Sequence, residues 1–119
     1  MSRLIACLTH MLEAAQLAIS YVNGMSKEEF LADKRTQQAA IMNLLVIGEL
    51  AGRLQQEYGP FLQVHPEVPW QSMRGMRNRI AHGYFEMNLD VVFDTLKLAL
   101  PTLAAQLPPI IAAAEDTSA

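Results

Sequence analysis

The chain has 119 residues, 51% of them hydrophobic and 18% charged, and its formal net charge is −3. This length suits one domain with a single core, and the hydrophobicity excludes intrinsic disorder. With 12 acidic against 9 basic residues, the protein is not a globally basic nucleic-acid coat protein, although a local basic patch remains open. The single cysteine, Cys7, excludes an intramolecular disulfide and a zinc site built on thiolates.

No apolar run reaches the ~18 residues that a membrane span requires. Residues 1–7 loosely resemble a signal peptide, but His10 and Glu13 interrupt the apolar stretch and no cleavage site follows. The sequence therefore predicts a cytoplasmic protein without a membrane partner, a setting in which a lone free thiol is ordinary.

The N-terminal part has a helical period. Apolar residues recur in steps of four and three from Leu4 to Val22, which predicts an amphipathic helix that ends near Gly24. Ser26 and Glu29 have the spacing of a capping box, so a short second helix is expected to start there.

A long third helix is predicted from about Asp33 to about Glu57. Its middle is apolar almost all round, which is typical of the central and most buried helix of a bundle. Gly48 and Gly52 lie four residues apart and predict a smooth patch that another helix approaches closely. The residues 58–60, Tyr-Gly-Pro, are expected to end the helix.

The second half of the chain is predicted to contain a loop and two further helices. Three prolines in residues 60–69 favour a loop, followed by a helix from about Trp70 to about His82. Asn88 can cap the last helix, and Pro101 is expected to kink it or to mark a restart.

The predicted domain ends before the last residues of the chain. Pro108-Pro109 is expected to break the last helix, and residues 112–119 are predicted to be a frayed tail. Residues 1–111 then form a single helical domain without a strand signal or an internal repeat. The predicted fold is all-α, an antiparallel bundle of four to five helices.

One segment departs from ordinary bundle sequence. Residues 71–85 contain three arginines and no acid. At 100° per residue, Met73, Met76 and Ile80 share one face of the helix. The other face carries Arg74, Asn78 and His82, flanked by Arg77 and Arg79.

These residue types suit a phosphodiester of RNA. The planar fork of arginine can clamp a phosphate through two hydrogen bonds, and histidine can take and return a proton near neutral pH. RNA supplies its own nucleophile, the 2′-hydroxyl. A general base and a phosphate clamp can therefore cleave RNA without a metal, and the same site would spare DNA.

Structural interpretations of the same residues stay open. The arginines can be a solvated face, His82 a helix-end residue favoured by the helix dipole, and Tyr84 a residue at the edge of the core. Glu49 either pairs with an arginine of this segment or points outward.

The string Arg77-Asn78-x-x-x-His82-x-Tyr84 resembles the signature of HEPN ribonucleases, specifically the HepT branch of toxin–antitoxin systems. The resemblance extends over nearly the whole chain. It includes the first amphipathic helix and the segments Phe30-Leu31-x-Asp33, Asn43-Leu44, Gly48-Glu49, residues 65–70, Gly75-Met76-Arg77-Asn78, Tyr84-Phe85 and Leu89-Asp90-x-Val92.

The resemblance implies a HEPN-like bundle that forms a homodimer, with two motif segments meeting in one cleft, and a metal-independent endoribonuclease that needs no cofactor. Arg77 and His82 correspond to the catalytic pair, and Asn78 to the polar residue beside the arginine. Tyr84 corresponds to a tyrosine that the partner antitoxin, an MntA-like nucleotidyltransferase, modifies with AMP from ATP. Arg74 and Arg79 lie outside the motif and are assigned to contacts with the RNA backbone.

Two other functions compete with the nuclease. The bundle can be a non-catalytic partner subunit of a minimal nucleotidyltransferase, in which Arg77 and His82 bind a nucleotide. It can also be a purely structural dimer whose basic segment is a solvated face.

Overall fold

The computed structural model describes residues 2–118, with side chains described for residues 3–116. This range contains helices and turns and no strand, so the predicted all-α bundle is confirmed. The elements are α1 (Ser2–Tyr21), α2 (Lys27–Leu31), α3 (Lys34–Gln63), α4 (Trp70–Gly83), a 3₁₀ turn (Tyr84–Glu86), α5 (Leu89–Asp94), a π turn (Thr95–Ala99) and α6 (Leu100–Ser118).

The capping box predicted at α2 is present. The hydroxyl oxygen of Ser26 accepts a hydrogen bond from the Glu29 amide, and the Ser26 amide donates to Glu29 Oε1 at 2.8 Å. Phe30 on α2 is fully buried, with its ring centroid 5.3 Å from that of Phe93 on α5. The short helix is therefore held by its cap and by one aromatic anchor.

The long helix α3 runs past the predicted stop. It contains Pro60 and continues to Gln63, with a kink at Tyr58, whose φ of −135° and ψ of 34° are not helical. A proline ring inside a helix clashes with the turn before it, and the kink relieves that clash. Buried Leu62 draws the last turn back to the core.

The C-terminal elements agree with the prediction at Pro101 and differ from it at Pro108-Pro109. A π turn, in which the Leu100 amide donates to the carbonyl of Thr95, ends at Ala99. Helix α6 begins at Leu100, next to Pro101, where a kink or restart was expected. The break predicted at Pro108-Pro109 is wrong, because α6 passes through both exposed prolines while Leu107 and Ile110 are buried on its other side.

The segment predicted as a frayed tail is helical as far as it is described. Helix α6 continues to Ser118, and Ala114 within it is fully buried. Ala119 lies outside the described residues. Packing of this last stretch therefore adds helical structure beyond residue 111.

Helix α3 lies at the centre of the bundle, as predicted. It packs against α1 and α4, α1 also packs against α6, and α2 lies across α3 and α5. By length and composition alone, the stretches Arg3–Tyr21 and Leu89–Asp116 are apolar enough to cross a membrane. Core helices of a bundle have the same composition, and the apolar stripes of both stretches contribute to the shared core.

Candidate active site

Gly48 sets how closely α4 approaches α3. A Cβ atom placed on Gly48 would overlap Cβ of Arg77 and would lie 2.7 Å from the carbonyl oxygen of Met73. Glycine is therefore the residue that allows this contact. One turn further on, the Arg74 side chain lies over Gly52, with its Cδ 3.6 Å from the position of a Cβ there. The close approach predicted for this patch is present at Gly48, whereas Gly52 makes only an ordinary van der Waals contact with a flexible side chain.

The contact between α3 and α4 forms the wall of an open groove of about 350 Å³, here called the arginine groove. In it, Nε of Arg77 donates to Oε1 of Glu49 on α3, and Nη1 of Arg77 donates to Oδ1 of Asn78 at 3.2 Å. Glu49 thus pairs with an arginine of the motif segment, the first of its two predicted arrangements. The groove is lined by Gly48, Glu49, Gly52, Arg53, Gln56, Glu57, Arg74, Arg77 and Asn78.

Both partners of the Arg77–Glu49 pair remain partly in solvent, with 35% and 49% of their side-chain surfaces exposed. An exposed pair of this kind contributes little to stability. The pair instead orients the Arg77 side chain, because the contact between Nε and Glu49 fixes the plane of the guanidinium group. The remaining N–H groups can then bind an anion in the groove.

His82 lies in a second open space of about 520 Å³, here called the histidine groove. Its imidazole is exposed and has no hydrogen-bond partner among the described side chains. Arg79 shares this groove, and its Nη2 approaches Sδ of Met76 at 3.8 Å. The lining comprises Met76, Arg79, His82, Gly83, Glu86, Met87, Asn88 and Val91.

Within one copy of the chain, the two residues of the predicted catalytic pair line different grooves. Arg77 and His82 are five positions apart on α4, which turns their side chains about 140° from one another. Arg77, Asn78 and Arg74 line the arginine groove, whereas His82 and Arg79 line the histidine groove. The polar face predicted for α4 is exposed to solvent, and its residues line two different grooves.

The 3₁₀ turn directly after α4 presents two aromatic rings. Tyr84 is 38% exposed, and Phe85 is 98% exposed. Their ring centroids are 5.5 Å apart in an edge-to-face arrangement. Tyr84 is therefore accessible at the surface, two residues after the exposed His82.

Sequence reasoning did not identify Arg53 and Gln56, which line the arginine groove from α3. The sequence did contain a signal for them, because both follow Gly48 and Gly52 on the same helix. Residues that follow such a patch lie at the edge of the contact between the two helices. Within the described part of the chain, no three His, Cys, Asp or Glu side chains are grouped so that they could hold a metal ion.

Comparison with known proteins defines the class of this protein. Residues 11–110 match the model of the HepT-like ribonuclease family, and the chain belongs to that family. The resemblance predicted from the motif and the ribonuclease class are therefore confirmed.

Three relatives illustrate the similarity. A protein of Thermococcus cleftensis named "Probable ribonuclease HepT" is 36% identical over 91 residues, covering 76% of this chain and 80% of its own length. A "Putative RNase" of Methanocaldococcus jannaschii is 35% identical, covering 89% and 85%. Another from Caldanaerobacter subterraneus is 33% identical, covering 87% and 90%. No solved structure gives a significant match.

Proposed function

We propose that this ribonuclease is a metal-independent endoribonuclease, and that it acts as the toxin of a HepT/MntA-type toxin–antitoxin system. The observation that carries the proposal is the composition of α4. This one helix presents an exposed imidazole, His82, together with an arginine, Arg77, whose guanidinium group Glu49 and Asn78 hold in place.

His82 and Arg77 have complementary tasks in the proposed reaction. The neutral imidazole of His82 takes the proton of a 2′-hydroxyl, and the 2′-oxygen attacks the adjacent phosphorus. The bond from phosphorus to the 5′-oxygen breaks, and that oxygen leaves with the proton that the imidazolium of His82 returns. The products are a 2′,3′-cyclic phosphate and a free 5′-hydroxyl. Arg77 stabilises the negative charge that builds up on the phosphate oxygens.

A homodimer would supply what a single chain lacks. Within one copy, Arg77 and His82 line different grooves, and the proposal places the complete site between two copies. A cleft between two α4 helices would join both types of group and double the local positive charge. It would also help an acidic chain to hold RNA through Arg74 and Arg79.

Tyr84 is the proposed site of regulation. Its side chain is accessible beside His82, as a substrate for an MntA-like nucleotidyltransferase must be. The tyrosine oxygen would attack the α-phosphorus of ATP and form a phosphodiester with AMP, while pyrophosphate leaves. The added phosphate and purine would compete with RNA for the arginines and block the cleft. The ribonuclease and the nucleotidyltransferase would meet in the cytoplasm, where the RNA substrate of the ribonuclease lies.

RNA cleavage in excess EDTA tests the proposed chemistry. Unmodified protein should cut cellular RNA and leave 2′,3′-cyclic phosphate ends. The rate of RNA cleavage should fall about 10²–10⁴-fold in H82A and in R77A. H10A and R35A are matched controls, since they remove an exposed histidine of α1 and an exposed arginine of α3.

Two results would contradict the proposal. Folded, dimeric, unmodified protein that cuts no RNA would favour the non-catalytic partner subunit instead. For the regulatory step, incubation with the transferase and ATP should add the mass of one or more AMP units at Tyr84. Addition at other residues only would refute the role of Tyr84.

A further inference from the structure

Phe85 is the most exposed large hydrophobic residue among the described side chains. Its exposed fraction is 98%, and the next values, for Val64 and Leu98, are 70%. A phenylalanine in this position gains nothing from burial within its own chain, where the ring would normally find its stabilisation. The exposure therefore calls for a partner outside the chain.

The ring is held in a defined position. Phe85 is the middle residue of the 3₁₀ turn Tyr84–Glu86, which the Met87 amide closes by donating to the carbonyl of Tyr84 at 3.2 Å. Tyr84 supports the ring edge-on at 5.5 Å. The aromatic surface is thus presented on an ordered turn, so little conformational freedom is lost when a ligand covers it.

Phe85 lies close in the chain to the proposed catalytic histidine. It follows His82 by three residues, so their Cα atoms are at most about 11 Å apart. His82, Tyr84 and Glu86 are exposed residues close to Phe85 in the chain, and the nearest arginine of α4, Arg79, lies six residues before it. A protein interface favours an aromatic anchor ringed by further contacts that exclude water, whereas an exposed aromatic ring close to a site that handles the phosphate backbone is typical of a surface that binds single-stranded nucleic acid.

We infer that Phe85 is a base-stacking residue, on which an unpaired base of the RNA substrate lies while a phosphate of the same strand reaches the site at His82. The inference deepens the proposed function and rests on it. Stacking accepts any base, because every base has a π face. In a duplex the faces of the bases are already stacked, so Phe85 selects unpaired RNA.

Binding measurements on a cleavage-deficient background isolate this step. In H82A protein, the affinity for a short unpaired adenosine oligonucleotide should fall about 5- to 150-fold when F85A is added, which is the loss expected for one base–aromatic stack. F85W should restore the affinity, and stacking should quench the fluorescence of the introduced indole. L98A, which truncates another exposed apolar side chain, is the matched control and should change nothing.

Several results would overturn the inference. These are an affinity for unpaired RNA that F85A leaves unchanged, an equal loss on duplex RNA, or an H82A protein that binds no unpaired RNA. A change from dimer to monomer in F85A, measured by analytical ultracentrifugation, would instead make Phe85 a residue of the interface between two copies.

The two proposals fail separately. If wild-type protein cuts no RNA but F85A still weakens binding of the unpaired strand alone, the nuclease chemistry is refuted and the stacking site stands. If cleavage requires His82 while F85A binds and cuts unpaired RNA as wild type does, the stacking site is refuted and the nuclease stands.

Discussion

The contact between α3 and α4 can be tested by giving Gly48 a side chain. In G48A, the new methyl group would overlap Cβ of Arg77 and would approach the carbonyl oxygen of Met73 to 2.7 Å. Neither obstacle is the flexible end of a side chain. The two helices must therefore move apart, and Arg77 must move with α4.

The size of the effect follows from two opposing terms. Forcing an extra methyl group into a packed contact costs about 1–3 kcal/mol, and a collision with backbone and Cβ atoms lies at the upper end. Replacing a helical glycine with alanine returns about 1 kcal/mol of helix propensity. The net loss is about 2 kcal/mol, which lowers the melting temperature of a chain of this size by about 8 °C.

G52A is the matched control, one turn away on the same helix. There the nearest atoms belong to the flexible side chain of Arg74, at 3.6 Å and beyond. The helix propensity gained is therefore kept, and stability should rise by about 0.5–1 kcal/mol. Thermal unfolding followed by circular dichroism compares the two variants. If G48A melts at or above the temperature of G52A, the argument from close approach is wrong.

Three further predictions concern the stability of the fold. F30A removes a fully buried ring that packs on Phe93 and should cost about 3–5 kcal/mol in urea unfolding; a loss below about 1 kcal/mol would show that α2 is not anchored there. S26A removes the cap of α2 and should cost about 1 kcal/mol in the same assay, whereas S72A, at an exposed serine inside α4, should be close to neutral. Hydrogen bonds from the Ser26 and Thr36 backbone amides hold the pKa values of Glu29 and Asp33 below their ordinary values. Their stabilisation is present above the unfolded-state pKa values of about 4 and is lost as the pH falls through the lower folded-state values. The melting temperature should therefore fall as the pH is lowered below about 4, and it should fall less in E29Q, which removes the titrating carboxyl group of Glu29; an equal fall in wild type and E29Q would refute the contribution of Glu29.

Local signals predicted the helices well where a residue acts on its own neighbours. The capping box at Ser26 and the cap at Asn88 involve hydrogen bonds within three residues, so the sequence alone is enough to recognise them. Prolines misled the prediction for the opposite reason. Their local preference to end a helix is overridden at Pro60, Pro108 and Pro109, because neighbouring side chains such as Leu62 and Leu107 are buried in the core.

For the candidate site, too, local patterns could be predicted from the sequence and contacts between helices could not. Spacing on one helix placed Arg77, Asn78 and His82 on α4 and gave the family, because a motif is a local pattern. Spacing also indicated that Gly48 meets another helix. It could not choose between the two arrangements of Glu49, since that choice depends on which residue of α4 lies opposite Gly48.

The sequence by itself determined the helical class, the positions of most helices, the ribonuclease family and the residues of α4 on which the proposed chemistry depends. Only the tertiary structure decided that Glu49 holds Arg77, that Arg77 and His82 line separate grooves, and that Phe85 is left without cover. The physical reason is that periodicity and capping act within a few residues, whereas these three features depend on how closely and in what register separate helices pack.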